Sequence, residues 1–520
     1  MTKKTSLSFL TYTQLYSFIT LLLFGYFFFE ESFHDNLPLA WLPIEFIMIW
    51  QILSIIFTII LNHRLLKALS IFLLLCNAFV FYVLYAYHIP IDKVMFLNAF
   101  QTDSAEVEEL FNIKWLFFII TLGVIPSLTI IPITVQKASF KQSCLSIGCS
   151  FLIILLFGII NYSHTNHFLH RFKYLQEYLP PINYISGGLD LLKDKMHPHP
   201  PLQTISQDIT PQPVMNKPNL IVFIVGETSR AANFSLNGYT RPTNQALDPY
   251  INDIVYYPDV KACGTSTAVS VPCIFSKDDT RHFKAGSETY MENLLDIFKK
   301  ADYKIRWIDN DGGCKNVCDR VIFEEPCDEK NCLDDILLRK FEKKIRQTKN
   351  NQFIVLHTRG SHGPSYHLRY DSESNIYQPI CTKYDLWNCS QEELINVYDN
   401  TIHYVSKFIA RTIKLLQNLQ DSYNPILLYT SDHGESLKEN GIFLHAAPYA
   451  TAPREQKEVP MLVWMPEHNN YHINKQCLRQ QTTRNNYSHD NIFHSLLGIS
   501  NIHSKFYNAD FDIFAGCKTE

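Results

Sequence analysis

Ile426-Leu427-Leu428-Tyr429-Thr430-Ser431-Asp432-His433-Gly434-Glu435 begins as a strand and ends as a polar turn. Four apolar residues in succession have the length and composition of a strand buried on both faces. Comparable runs occur at Leu220–Val225, Lys304–Ile308, Phe353–His357 and Met461–Trp464. Between them lie helical patterns at Tyr290–Ala301, Leu333–Gln347 and Glu392–Leu419. That alternation predicts an α/β domain with a largely parallel sheet and helices on both faces. In such sheets functional groups gather just beyond the carboxyl ends of the strands.

The residues at those ends carry the chemistry. Gly226-Glu227-Thr228 follows the first run, and His445 lies twelve residues after His433. Phe353–His357 ends on a histidine and leads to Gly360, Ser361 and His362. Lys304–Ile308 leads to Asp309, Asn310, Asp311 and Lys315. A turn, Gly264-Thr265-Ser266-Thr267-Ala268, precedes an apolar segment in the manner of a helix N-terminus. A single carboxylate after a strand usually caps a helix or solvates a loop. Here Glu, Asp and several His converge on one edge of one sheet, and hard oxygens mixed with imidazole suit Zn²⁺ or Mn²⁺ better than Ca²⁺.

Working outward toward the N-terminus, the composition changes character. The 520 residues are 47% hydrophobic and only 18% charged, and the apolar residues crowd before residue 162. Five apolar runs, at about 8–29, 41–61, 68–87, 115–134 and 145–161, have nearly the length needed to cross a bilayer. Short loops on one side carry Lys3, Lys4, Arg64, Lys67, Lys137 and Lys141; the other side carries Glu30, Glu31 and the acidic stretch Asp92 to Glu109. By the positive-inside rule the first set is cytoplasmic, and the chain after residue 162 lies outside. A net charge of -4 excludes a basic nucleic-acid binder, and 36 Phe with 28 Tyr exclude general disorder.

The cysteines test that placement independently. Cys76, Cys144 and Cys149 fall in or beside apolar runs, whereas the other ten follow residue 260, mostly in close pairs. Their spacing suggests disulfides Cys263–Cys273, Cys314–Cys318, Cys327–Cys332 and Cys381–Cys389, with Cys477–Cys517 as the remainder, in an oxidising compartment. Zinc binding by these pairs lacks the expected CxxC spacing. Three segments are therefore expected: a five-helix membrane domain over 1–162, a juxtamembrane helix and Pro-rich linker over 163–218, and an α/β domain over 219–520. Between the third and fourth spans, Ile91–Phe111 reads as an amphipathic helix with Asn98, Thr102 and Glu106 on one face.

Ser431–Ser436 with His445, the segment Val225–Arg230, and the segment Ala262–Cys273 together resemble the lipid A phosphoethanolamine transferases. These are inner-membrane enzymes of Gram-negative bacteria that include the polymyxin (colistin) resistance transferases, and their catalytic domain has the alkaline phosphatase/sulfatase fold. The resemblance covers nearly the whole chain. It implies zinc held by Glu227, Thr267, Asp432 and His433, with Thr267 as nucleophile and groups available for a second zinc. It also implies substrate or second-metal roles for His357, His362, Lys315, Glu435 and His445, with His362 or His445 moving protons, and head-group contacts from Asn98, Thr102 and Glu106. Where family members often carry Asn four residues before the lysine, this chain has Asp311.

The implied reaction moves phosphoethanolamine from phosphatidylethanolamine to a phosphate of lipid A through a phosphothreonine, with polymyxin resistance as its consequence. A threonine hydroxyl needs a metal or base to act as a nucleophile near neutral pH, so the chemistry is coherent. A monomer in the inner membrane is expected, with a cytoplasmic N-terminus and a periplasmic catalytic domain. Two alternatives are a phosphoethanolamine or glycerol-phosphate transferase acting on a glycan, and a phosphatase- or sulfatase-like hydrolase. No Cys lies in the C-x-P-x-R setting that a sulfatase nucleophile needs.

Overall fold

A computed structural model describes residues 5–33, 41–101, 113–196, 200–214, 216–327, 332–345, 350–467, 470–483 and 486–519. The chain divides into two compact units, one comprising Met1–Phe96 with Phe111–Asp194, the other Leu97–Leu110 with Lys195–Glu520.

The first unit is helical. Among the described residues, four helices are long and apolar enough to cross a bilayer: Leu42–Ile59, His63–Tyr87, Ile113–Ile130 and Phe140–Ile160. Phe9–Phe24 and Tyr26–Phe33, which meet at a bend of 61°, are together long and apolar enough to count as a fifth. Gly25 permits the bend, because a Cβ there would lie 2.5 Å from the Leu21 carbonyl oxygen. The third and fifth spans start five residues earlier than their apolar runs. Asn62 caps the one, and Ser139 with Gln142 forms a capping box on the other, so each helix opens with a polar turn that hydropathy does not register. Three helices are joined in the interior, where Ser150 donates to Gln51 Oε1 at 2.7 Å and Gln14 Nε2 approaches the same oxygen at 3.4 Å. Leu145, Phe151, Leu152, Ile159 and Ile160 face outward, as lipid-facing side chains do. Helices Tyr162–Leu175 and Ile182–Met196 follow the last span.

The second unit is built on a seven-stranded sheet: β1 Asn219–Gly226, β2 Ile254–Lys261, β3 Lys304–Asp309, β4 Ile322–Glu324, β5 Gln352–His357, β6 Asn424–Ser431 and β7 Glu458–Trp464. Their order is β2-β7-β6-β1-β5-β3-β4, and β7 alone runs antiparallel to its neighbours. Strands β1, β5 and β6 are covered on both faces, which explains their unbroken apolar runs. The direction of β7 has a simple cause. Residues 432–457 stay at the edge where β6 ends, so the chain re-enters the sheet without a crossover helix. Two strands lack an apolar-run signature. β2 contains Pro258, tolerated because β2 lies at the sheet edge, and β4 has only three residues. All five disulfides form, pairing Cys263–Cys273, Cys314–Cys318, Cys327–Cys332, Cys381–Cys389 and Cys477–Cys517. Cys76, Cys144 and Cys149 are free thiols.

Candidate active site

Glu227 follows β1 directly, and Asp432 and His433 follow its neighbour β6. Because those strands are parallel and in register, Gly226 pairs with Ser431 and both carboxylates emerge at the same edge. The backbone then turns hard. Thr228 holds φ at +51°, a left-handed conformation that costs a β-branched residue on the order of 1–3 kcal/mol. That turn aims the Thr228 amide at Asp432 Oδ1 (3.2 Å), which also accepts from the His433 amide at 2.7 Å. One carboxylate oxygen of Asp432 is thus pinned. The other, Oδ2, is buried without a hydrogen-bond partner among the described residues.

Thr267 is the first residue of helix Thr267–Ile274, and the Cys263–Cys273 disulfide ties the last turn of that helix to the chain before Thr267. The preceding turn is held from outside: the Ala446 amide donates to the Thr265 carbonyl and the Thr265 hydroxyl to the Ala447 carbonyl, both at 2.6 Å. The partly buried Thr267 hydroxyl consequently donates to Glu227 Oε2 at 3.1 Å and lies 3.3 Å from His433 Nε2. His433 Nδ1 is 2.9 Å from the Gly434 carbonyl, so its proton is there and Nε2 presents a lone pair. Burial pushes this imidazole down to about 4, keeping it neutral.

These four side chains fit a metal ion. His433 Nε2 is 3.3 Å from Asp432 Oδ2 and 3.5 Å from Glu227 Oε1. Two ligands each about 2.0–2.2 Å from one tetrahedral zinc stand roughly 3.4 Å apart, so the spacing matches. Two carboxylates, one imidazole and one hydroxyl make a four-donor oxygen and nitrogen set, and Asp432 Oδ2 is a buried acceptor that protein alone leaves unsatisfied.

A second layer surrounds that centre. Glu435 accepts from the Tyr366 hydroxyl at 2.7 Å and lies 3.0 Å from His445 Nδ1, fixing the ring. The His445 ring lies 4.5 Å from the His433 ring, tilted by 39°, and 5.2 Å edge-on from that of His362. His357 is fully buried, its Nδ1 2.8 Å from Asp309 Oδ2. Burial opposes charge on both, but their pairing, with the Trp307 indole and the Gly313 amide, holds the Asp309 carboxyl at about 2 and raises His357.

Residues 219–502 match the sulfatase family model, and residues 49–196 match the model for phosphoethanolamine transferases EptA/EptB. Phosphoethanolamine transferase EptA of Escherichia coli K12 is 37% identical over 506 residues, covering 94% of this chain and 92% of that protein. The chain belongs to the EptA/EptB family of phosphoethanolamine transferases. Phosphatidylethanolamine transferase Mcr-1 of Escherichia coli is 35% identical over 444 residues, covering 80% of this chain and 82% of that protein. The integral membrane lipooligosaccharide phosphoethanolamine transferase A of Neisseria meningitidis superposes with a TM-score of 0.93 at 33% identity, covering 99% of this chain and all of that one.

In this transferase the structure brings Glu227, Thr267, Asp432 and His433 together, with His445, Glu435 and His362 beside them. Lys315 is placed differently: its ammonium donates to the Gly312 carbonyl at 3.2 Å and acts on Asp311 and His357 through its charge. Asn98 lies on helix Lys93–Gln101, whereas Thr102 and Glu106 lie outside the described residues. Sequence reasoning names Gly360 without a role for it and misses Asp334 and Tyr366, all three of which position the candidate ligands. Asp334 accepts from the Arg359 and Gly360 amides, locking the loop after β5, and Gly360 at φ +50° lies so near Glu227 that a Cβ would fall 2.5 Å from its carbonyl oxygen. Tyr366, which orients Glu435, is likewise distant in the chain and carries no motif.

Proposed function

We propose that this transferase moves phosphoethanolamine from phosphatidylethanolamine to a phosphate of lipid A through a phosphothreonine on Thr267. The observation carrying this reading is the Thr267 hydroxyl, held between Glu227 Oε2 and His433 Nε2 at the first turn of a helix. Glu227, Thr267, Asp432 and His433 would hold one zinc ion. When bound, zinc lowers the pKa of a ligated hydroxyl and offsets charge on phosphoryl oxygens. The Thr267 oxygen attacks the phosphorus of the donor, and its proton passes toward the Glu227 carboxylate it already contacts. As the bond to diacylglycerol breaks, the leaving oxygen needs a proton. His445 supplies it, because Glu435 fixes Nδ1 and leaves Nε2 to reach outward. A lipid A phosphate then attacks the phosphothreonine, and Thr267 regains its proton. His362, beside His445, and Lys315, beside Asp311, would contact the phosphoryl group; Asn98, Thr102 and Glu106 would contact lipid head groups.

Both substrates are lipids, and tethering the site to membrane spans confines enzyme and substrates to one layer. With the bent pair taken as one span, the basic short loops support a cytoplasmic N-terminus and a catalytic unit in the periplasm, where its disulfides would persist. Masking a lipid A phosphate with an ammonium group lowers the anionic charge that polymyxins require. Thr267→Ala tests the reading: transfer is lost while fold and zinc content persist, and mass spectrometry of arrested wild-type enzyme finds phosphoethanolamine on Thr267. Undiminished transfer by Thr267→Ala refutes it. Unmodified lipid A alongside an altered glycan reassigns the acceptor.

A further inference from the structure

Strand β2 ends at Lys261, paired with Glu458 at the start of β7, on the same edge of the sheet as Glu227 and Asp432. Lys261, Tyr449, Arg454, Lys457 and Glu458 line an open pocket there of about 370 Å³. The Glu458 carboxylate is shared, with Lys261 on one oxygen and Arg454 on the other. The Lys457 ammonium donates to the Tyr449 carbonyl at 3.3 Å and lies 5.6 Å from the centre of its ring. Three cations thus line the pocket against one carboxylate. Asp490 also acts on Tyr449 through its charge, but its Oδ1 accepts from the Thr280 amide and hydroxyl, both at 2.7 Å. An excess of positive charge remains even with Asp490 counted.

The pocket is held in shape and joined to the reacting groups on two sides. The Tyr449 hydroxyl donates to the Ala262 carbonyl at 2.9 Å, and the Ala262 amide donates to the Lys457 carbonyl at 2.8 Å. Its wall therefore grips the chain just before the disulfide loop that carries Thr267. On the other side Tyr449 lies four residues after His445. The fully buried Gln456 closes that stretch: the Ala447 amide donates to its Oε1 and its Nε2 to the Leu444 carbonyl, both at 3.1 Å. An anion seated in the pocket shares its supports with the nucleophile turn and with His445.

We propose that this pocket binds a second phosphate of the acceptor, the one not being modified, so that the enzyme favours lipid A bearing two phosphates. This rests on lipid A being the acceptor. A phosphate monoester carries nearly two negative charges and is the kind of anion that Arg and Lys recognise. Phosphatidylethanolamine has nothing to offer here, because its single phosphate is a diester balanced by its own ammonium. The pocket thus distinguishes acceptor from donor and acts in the second half of the reaction, when the phosphothreonine awaits attack. Arg454 and Lys261 reach water, with side chains 66% and 49% exposed, so each contact is modest and salt screens it.

Transfer by full-length protein in detergent is measured with lipid A bearing both phosphates and with each of its two monophosphorylated forms. Wild type is expected to favour the two-phosphate acceptor about fivefold in kcat/KM over the better single-phosphate form, and less as salt rises. Arg454→Gln combined with Lys457→Gln is expected to bring that ratio near one. No preference in wild type overturns the assignment, and so does a preference that the double variant keeps, including equal slowing on every acceptor. If wild type transfers to none of the three, the lipid A reading itself falls and the pocket's role with it. Calorimetry with inorganic phosphate separates the sources of the anion: binding by wild type without an acceptor preference gives the pocket to free phosphate and overturns the assignment. Thermal melting checks the fold, and Lys457→Gln alone, expected to narrow the ratio in part, gives the reading if the double variant does not fold.

Discussion

Replacing Gly434 by alanine is a demanding test of how the centre is built. Gly434 follows the two candidate ligands Asp432 and His433, and its amide donates to the Gln456 carbonyl at 2.9 Å. A Cβ on it would lie 1.9 Å from the Glu455 carbonyl oxygen and 3.1 Å from Arg230 Cβ. Carbon and carbonyl oxygen need roughly 3.3 Å, so the two backbones must part by about 1.4 Å. No flexible side chain can absorb that, because the obstacle is main chain. Parting them also strains the Glu435 amide bond to the same Glu455 oxygen, 3.0 Å long. The displacement therefore passes to His433 on one side and to Glu435, the partner of His445, on the other. Overpacking of this kind costs about 1–3 kcal/mol, and misplacing reacting groups by roughly 1 Å costs about a hundredfold in rate. Gly434→Ala is expected to melt several degrees lower and to transfer phosphoethanolamine at about 1% of the wild-type rate at saturating lipid. Gly148→Ala, in helix Phe140–Ile160 where an added Cβ meets nothing within 4 Å, is the matched control and should be neutral. Near-normal turnover by Gly434→Ala would show that the close approach does not position the ligands.

Three further outcomes are expected. Replacing Cys263 and Cys273 by serine opens the short loop carrying Thr267 and should cost about 3 kcal/mol in unfolding free energy, with transfer falling further than stability alone explains. In the membrane unit, Ser150→Ala removes the hydrogen bond to buried Gln51 and should cost roughly 0.6–1.7 kcal/mol, read by thermal unfolding in detergent. Stability should also fall in acid, because burial holds His489 at about 4 while its Nδ1 accepts the Cys263 amide. An unfolded histidine takes up its proton near 6.5, so the contribution is complete above that pH and is lost on descending toward 4. Fully developed it is on the order of 3 kcal/mol, and His489→Gln, measured with chelator present, should flatten the profile.

Much of this architecture is legible in the sequence because parallel strands bury both faces and must read as apolar runs. β1, β5 and β6 are visible for that reason, and the polar residues after them mark the edge where the ligands gather. β2 escapes because Pro258 interrupts it, and β4 because three residues give no period. The membrane helices are legible in their apolar lengths but not at their starts, where Asn62 and Ser139 do the capping, nor at the Gly25 bend. Glu227, Thr267, Asp432 and His433 stand out by residue type and position. Asp334 and Tyr366 do not, because their effect is exerted through hydrogen bonds to residues far away in the chain.

That division follows from what each group must do. A ligand or nucleophile has to be one of a few side chains, so chemistry limits the alphabet at Thr267 or His433. A residue that only aims a neighbour can be anything with a suitably placed donor, acceptor or gap. Asp311 falls between the two classes. As a carboxylate within 4.8 Å of Glu227 and His357 it has the chemistry of a ligand, yet its loop position alone looks like that of a turn residue. Placed there, burial works against its charge, and His357, His362, Lys315 and Arg359 work for it. His357 Nε2 lies 3.6 Å from Asp311 Oδ2, and Lys315 acts on both through its charge while its ammonium binds the Gly312 carbonyl. What Asp311 meets is therefore set by residues from separate stretches of chain, and no spacing within its own loop could have shown it.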